Sequence, residues 1–487
     1  MGSHQVNDGK PILLFTSFPA TGHITPTLRI ASALHARGWP VFYLGPTAHE
    51  ASISATGVKF LPFLDDADFN EFTFVASKRA TIDKDAVVQD TPEPTWRHRV
   101  FEDMRELFTS PIPARHRSLL AALIHIHQLS PSARVVVVAE SMSNVLLPLF
   151  HSAPLPPSIP MPIGSIAVSV MVPPLRSVDI PPLISEPVEF GTTSAHRERI
   201  AEMWRDWEVE TRDLKELLVE KVEEAGGKDF AKAMEARERE KGRESWAYQS
   251  GENFVGYDHV CQVGVESWFY KTEEGWPGNW KFVGVVPKSV PVLDEAKQVL
   301  VDEVKLARKE GKKVVVVAQG TVEIDPRQLI IPTIQALGGR QDTLVVAILG
   351  HRGRTLPMDV VVQPPNAKVA DYLPYDAILP HADVFVSNAG YGAVMHGIGH
   401  GVPMVVAGEE QDKKENATRI QWGGHGIKLT RSWRDKEEYV KELKEAVEKI
   451  MDEEDGKEVR KRARELKEEA DSIDCIKTFE DCLSSYL

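Results

Sequence analysis

Pro11-Ile-Leu-Leu-Phe-Thr-Ser17, then Phe18 to Ile24, then Pro26-Thr-Leu-Arg-Ile-Ala-Ser-Ala-Leu34 is the stretch on which the fold turns. Its first part is a continuous apolar run without alternation, the pattern of a strand covered on both faces, as in a parallel sheet. Leu28, Ile30, Ala31 and Leu34 then recur at helical spacing, Pro26 suits a first turn, and Gly38 stands where a left-handed stop belongs. Val41-Phe-Tyr-Leu44 reads as the next strand, and Val135 to Val138 before a helical Ser143 to Leu149 repeats the pattern. Strand, helix and strand in this order predict an open parallel sheet.

The pattern restarts further on. Phe282-Val-Gly-Val-Val-Pro287 closes the first half, and 287–291 is the linker candidate. Lys313-Val-Val-Val-Val-Ala318, Leu344 to Leu349, Val384-Phe-Val-Ser387 and Met404-Val-Val-Ala407 read as buried strands, with Asp325-Pro326 capping a helix that runs towards Gly338. The expected fold class is therefore α/β, with two facing doubly wound parallel-sheet domains and a cleft between them. The expected boundaries are 8–286 and 292–456, with helices over 457–487 crossing back to the first domain. Between Pro173 and Ser250 a proline-rich stretch leads into a Glu/Arg/Lys-rich region. There Met203, Trp207, Leu214, Leu218 and Val222 mark surface helices docked by one apolar stripe. Glu437 to Ala470, with its i,i+4 opposite charges, reads as solvated helix.

Composition excludes several functions. The 487 residues carry 57 basic and 71 acidic side chains, a net charge of −14, so no uniform basic surface is expected to meet a nucleic acid. The apolar stretch Ile163 to Val172 ends between prolines, far short of the roughly 20 residues of a membrane span. Met1 to His4 show no basic-then-apolar signal pattern. Cys261, Cys475 and Cys482 are spaced neither as a disulfide framework nor as a zinc site, which suits a reducing, cytoplasmic setting without structural metal.

In an open α/β sheet, ligands gather at the carboxyl ends of strands. Ser387-Asn-Ala-Gly-Tyr-Gly-Ala-Val394 lies there, and its Gly390 and Gly392 would let backbone amides at a helix start approach an anion. The turn is neither the dinucleotide glycine pattern nor a P-loop. It is preceded by Asp371-Tyr-Leu-Pro-Tyr-Asp-Ala-Ile-Leu-Pro-His-Ala-Asp383. It is followed by Gly401-Val-Pro-Met-Val-Val-Ala-Gly-Glu-Glu-Gln-Asp-Lys-Lys-Glu-Asn-Ala417. Together these segments resemble the nucleotide-sugar signature of the UDP-dependent glycosyltransferases of small molecules, the macrolide and flavonoid type, whose two Rossmann-like domains form the GT-B fold. The resemblance continues through Ala318-Gln-Gly-Thr321 and Thr21-Gly-His-Ile-Thr-Pro26, and is strongest from Val314 to Leu429.

That resemblance implies an acceptor-binding first domain and a second domain that binds the nucleotide sugar. Tyr372 stands where an aromatic ring stacks on uracil, with Leu373 offering backbone contacts. Gly320 and Thr321 match the β-phosphate contacts, and Gly390, Tyr391, Gly392 and Ala393 supply the helix-start amides for the diphosphate. Asn388 occupies the place of a phosphate-binding His, and His396 that of a ribose-binding Glu. Asp412 and Lys413 match the acidic-amide pair on the sugar hydroxyls, Lys413 replacing Gln, with Asn416 one turn later. The general base falls on His23, and Glu140 stands where the family more often has an orienting Asp. From its own position His23, at a helix start, is expected to be held neutral by the helix-end potential.

The chemistry implied is an inverting displacement on a UDP-sugar as co-substrate, UDP-glucose first among them, with no permanently bound cofactor and no metal. Phe63, Phe69, Phe72, Phe74, Trp96 and Phe101 suit a lipophilic aromatic acceptor such as a phenol, flavonoid or polyketide. Two other readings stay open: a non-catalytic nucleotide-sugar-binding auxiliary protein, and a sugar-nucleotide epimerase on the same scaffold.

Overall fold

A computed structural model describes residues 9–73, 96–290, 292–320, 323, 325–356 and 363–487. The first sheet comprises β1 (Ile12–Thr16), β2 (Val41–Gly45), β3 (Lys59–Pro62), β4 (Val135–Glu140), β5 (Gly164–Ser169), β6 (His259–Gln262) and β7 (Trp280–Phe282). Its order is β3-β2-β1-β4-β5-β6-β7, every neighbouring pair parallel. The second sheet comprises β8 (Lys313–Ala318), β9 (Thr343–Ile348), β10 (Ala367–Ala370), β11 (Val384–Ser387), β12 (Met404–Val406) and β13 (Gly426–Lys428). It runs β10-β9-β8-β11-β12-β13, again all parallel. The apolar runs of β1, β4 and β8 are buried throughout, apart from Lys313 at the β8 entry.

Both sheets are doubly wound, and each reverses strand order at one point: between β1 and β4 in the first, between β8 and β11 in the second. Crossovers leave those two points in opposite directions, so a crevice opens there at the carboxyl ends. Register fixes which residues meet in it. Thr16 pairs with Ala139 and Ser387 with Ala318, so the segments after β1 and β4 emerge side by side, as do those after β8 and β11.

The charged insertion folds as three helices, Ser194–Glu210, Arg212–Glu224 and Phe230–Glu240, whose Trp204, Trp207, Leu214, Leu218 and Val222 are buried while Met203 is half-buried. At the other end of the chain, Lys457–Asp471 packs against Tyr391–His400, and Cys475–Leu483 reaches the first domain. There Glu480 accepts from Arg37 at 2.8 Å and from the Trp39 indole at 3.2 Å. All three cysteines are free and buried.

Three local expectations change. The helix after β1 starts at Thr21, so Pro26 lies inside it and removes the N–H that would meet the Gly22 carbonyl; Gly38 does end it, at φ +80°. Ser143 to Leu149 is no continuous helix, because Asn144 turns left-handed at φ 54° and only Leu147–Phe150 is helical. Asp325 caps a turn, its Oδ1 accepting from the Arg327 amide at 3.0 Å, and the helix itself spans Ile330–Leu337.

Candidate active site

The first crevice holds His23 and Glu140. Glu140 ends β4 with its side chain wholly buried, and its position beside the exit of β1 lets one oxygen accept from the Phe18 amide at 3.2 Å. The other oxygen accepts from the Met142 amide at 2.9 Å and the Ser141 hydroxyl at 3.3 Å. His23, on the third residue of Thr21–Ala36, brings Nδ1 to 3.2 Å from Glu140 Oε2. That nitrogen is buried, and Glu140 is the carboxylate that faces it, so the two form a charged pair when the imidazole is protonated. The His23 side chain keeps 21% exposure, and with Nδ1 committed to Glu140 the ring nitrogen left for a substrate is Nε2.

The electrostatics differ from the helix-end expectation. Burial lowers the proton affinity of His23, but the charges of Glu140, Asp412 and Glu71 outweigh it and hold the imidazole above its ordinary range. Glu140 is pushed up by burial and brought down further by His23 and the two amides, so it stays ionised. The aromatic groups against the imidazole are Phe18, edge-on to His23 at 5.1 Å, and Phe108, stacked on Phe18 at 4.2 Å. Neither stands out in the sequence as an acceptor residue. Of the aromatics that do, Phe63 is core and Phe101 packs edge-on to Trp207 at 5.7 Å. Phe72 lies 5.2 Å from His49. Phe74 and the Trp96 side chain lie outside the described residues.

The second crevice collects the segments after β8, β11 and β12. Beyond its chain neighbours and the helix's own backbone, a methyl group at Gly390 or Gly392 would meet nothing within 4 Å, so the start of Tyr391–His400, with Ala393 in its first turn, is open. At Gly320 the nearest atom would be Asn388 Oδ1 at 3.9 Å. Thr321 lies outside the described residues. Asn388 is buried and donates to Glu323 Oε2 at 2.7 Å, while Lys413 Nζ lies 3.6 Å from Glu323 Oε1 with both side chains nearly enclosed. Glu323, which sequence reading missed, also accepts from the Glu410 amide at 3.0 Å and is pushed up by burial despite Lys413. Lys413 thus faces a carboxylate of its own chain. Asp412 accepts from Asn416 at 2.9 Å, and Asn416 also donates to the Ala389 carbonyl at 2.9 Å, tying the two loops together. Burial pushes Asp412 up, against Lys413, Asn416 and His23.

Tyr372 is partly exposed, with the Arg352 guanidinium 4.7 Å from its ring centre, and Leu373 is buried. The Tyr391 hydroxyl bonds to the Val263 carbonyl and accepts from Gln262 at 2.9 Å, so its side chain joins the domains and its amide is what remains for a phosphate. His396 Nδ1 lies 3.2 Å from Asp376, and His400 Nε2 3.0 Å from the same oxygen. Burial lowers the proton affinity of His396 against the pull of Asp376. These three side chains have a donor set that could hold a cation. The second oxygen of Asp376, however, takes Arg29 of the first domain at 3.1 Å and both Ser289 donors at 2.9 Å, so the carboxylate is already satisfied.

Two strand-order reversals face each other here, one with a buried carboxylate behind an imidazole, the other with open helix-start amides beside a flat ring. Residues 333–477 match the family described as the erythromycin biosynthesis protein CIII-like C-terminal domain. UDP-glucosyltransferase 1 of Beauveria bassiana (strain ARSEF 2860) is 33% identical over 420 residues, 84% of this chain and 83% of its own. The chain belongs to the UDP-glycosyltransferases. UDP-glucosyltransferase A1 of Starmerella bombicola is 29% identical over 97% of this transferase and 92% of its own length. The crystal structure of the calicheamicin glycosyltransferase CalG4 overlays with a TM-score of 0.61 at 16% identity, covering 98% of each chain, and thus shares the two-domain fold. Among the described residues of the transferase, no helix is long and apolar enough to cross a membrane.

Proposed function

We propose that this transferase moves a hexose, glucose first among the candidates, from a UDP-sugar to a hydroxyl of a lipophilic small molecule, with inversion. His23 Nε2 takes the acceptor proton, the freed oxygen bonds to the anomeric carbon from the face opposite the diphosphate, and the bond to UDP breaks. Glu140 holds Nδ1–H and stabilises the imidazolium that forms. The growing charge on the leaving diphosphate meets the first amides of Tyr391–His400, a fixed dipole in place before the reaction begins. Asp412 is the acceptor for sugar hydroxyls. Glucose is preferred because the similar proteins carry the name UDP-glucosyltransferase. The rings of Phe18 and Phe108 beside the base favour an apolar acceptor.

One observation supports this reading above the others: His23 and Asp412, on different domains, sit close enough for each to shift the other's proton affinity. A silent binder has no use for a carboxylate-oriented base, and an epimerase has none for the apolar rings of Phe18 and Phe108 beside it. The test is UDP release with and without a panel of aromatic alcohols, for the wild type and His23→Ala. Acceptor-dependent release, lost by about 10²-fold or more in the variant at unchanged UDP affinity, is the expected result. Acceptor-independent conversion of the UDP-sugar, or transfer by His23→Ala at the wild-type rate, would overturn the proposal.

A further inference from the structure

The helix that carries His23 begins without a cap of its own. Ala20 at the cap position has no side-chain acceptor and no acid occurs in the first turn; the Ala20 carbonyl accepts from the His23 and Ile24 amides at 2.9 Å, so the Thr21 and Gly22 amides are the ones left to outside partners. Such a start leaves its first amides without an intrahelical partner and a partial positive charge at the turn that carries the imidazole. Fifty residues along the chain, Glu71 supplies what is missing: its Oε1 accepts from the Thr21 amide at 2.8 Å and from the Thr21 hydroxyl. The same oxygen is 3.1 Å from His49 Nε2, and both side chains are about nine-tenths enclosed. Glu71 therefore caps the helix from a different segment, two residues before His23.

We infer that Glu71 is a positioning residue for transfer, which fixes the height of the helix start under the acceptor and offsets the helix-end potential at His23, keeping the imidazole a strong base. The inference rests on His23 as general base. The groups that face His23 are Glu140 from the end of β4, Asp412 from the second domain and Glu71, all anionic when ionised. Arg115 lies 5.3 Å from the ring of Phe18, on which His23 packs. Glu140 orients the ring directly, whereas Glu71 touches only the backbone and side chain of Thr21 and His49. Its influence is thus a field and a position, and it can be removed without touching the imidazole.

The test is the pH dependence of kcat/KM for the wild type, Glu71→Gln, Glu71→Asp and His23→Ala. In Glu71→Gln the acidic limb is expected to move to lower pH, because one negative charge that favoured the imidazolium is gone. The plateau should fall by about 2- to 5-fold with KM for the UDP-sugar unchanged. Glu71→Asp, which keeps the charge but draws it one methylene away from Thr21, should shift the limb in the same direction by less, and serves as the readout if Glu71→Gln does not fold. A lowered plateau with an unmoved limb in either folded variant makes Glu71 merely structural and refutes the inference. An active His23→Ala enzyme would instead refute the base assignment, so the two failures are told apart.

Discussion

Replacing Glu140 by Gln asks whether the carboxylate orients the base. All the groups around its two oxygens are donors: the Phe18 amide and His23 on one side, the Met142 amide and the Ser141 hydroxyl on the other. A Gln amide has one acceptor and one donor end, so one pair must face an N–H. If the NH2 turns to Met142, a buried backbone donor loses its partner, at a cost of about 1–3 kcal/mol in stability. If it turns to His23, the imidazole must present a lone pair at Nδ1 and carry its proton on Nε2, the tautomer that cannot accept from a hydroxyl. Either orientation also takes away the charge that stabilises the imidazolium, and the second removes general-base catalysis outright, so the expected loss is about 10²- to 10⁴-fold. Steady-state UDP release with a saturating aromatic acceptor reads the rate, calorimetric UDP titration the donor site, and thermal unfolding the stability. The expected result is a kcat lowered at least 10²-fold with UDP affinity unchanged. A folded Glu140→Gln enzyme with kcat within about 3-fold of wild type would refute the reasoning, since no catalytic orienter is worth so little.

Tyr372→Ala should weaken UDP by about 5- to 150-fold, the worth of one base-aromatic stack of about 1–3 kcal/mol, measured by the same titration; an unchanged Kd would remove Tyr372 from the base site. Ala389 is fully buried in the left-handed region at φ 62°. A left-handed L-residue costs about 1–2 kcal/mol, glycine costs about 0.5–1 kcal/mol of chain entropy and the lost buried methyl about 0.8 kcal/mol, so Ala389→Gly should change stability in denaturant unfolding by less than about 1 kcal/mol, well under the usual penalty for emptying a buried site. His23, raised in the folded state, stabilises the protein fully below its ordinary 6.5 and loses that contribution as pH rises through its folded value. The unfolding-temperature gap between wild type and His23→Ala should therefore close as pH is raised from acid to alkaline, and a gap that widens would contradict the sign.

Strands buried on both faces, such as β1, β4 and β8, were legible because a short unbroken apolar run bounded by turn residues fits little besides the middle of a parallel sheet. The short outer strands were not: β3, β7, β10 and β13 have only 4, 3, 4 and 3 residues with mixed burial, and so leave no periodic trace. His23 and Glu140 were legible because each stands at or just past the end of a strand where the order reverses. Glu71 and Glu323 were not, since what makes them matter is a partner 50 or 65 residues away. Nor did the sequence reveal that Lys413 would be enclosed with Glu323 rather than offered to a sugar. A lysine beside a loop is ordinarily solvated, and only the nearby carboxylate makes its burial tolerable.

The return of the last helix also governs how this enzyme can be recombined with its relatives. Tyr486 lies so close to β5 that a methyl group on Gly164 would overlap its ring, and its hydroxyl donates to Asp258 at 3.0 Å. A chimera that grafts a foreign second domain after the linker would thus strip the first domain of its own cover, unless the final thirty or so residues travel with the front of the gene.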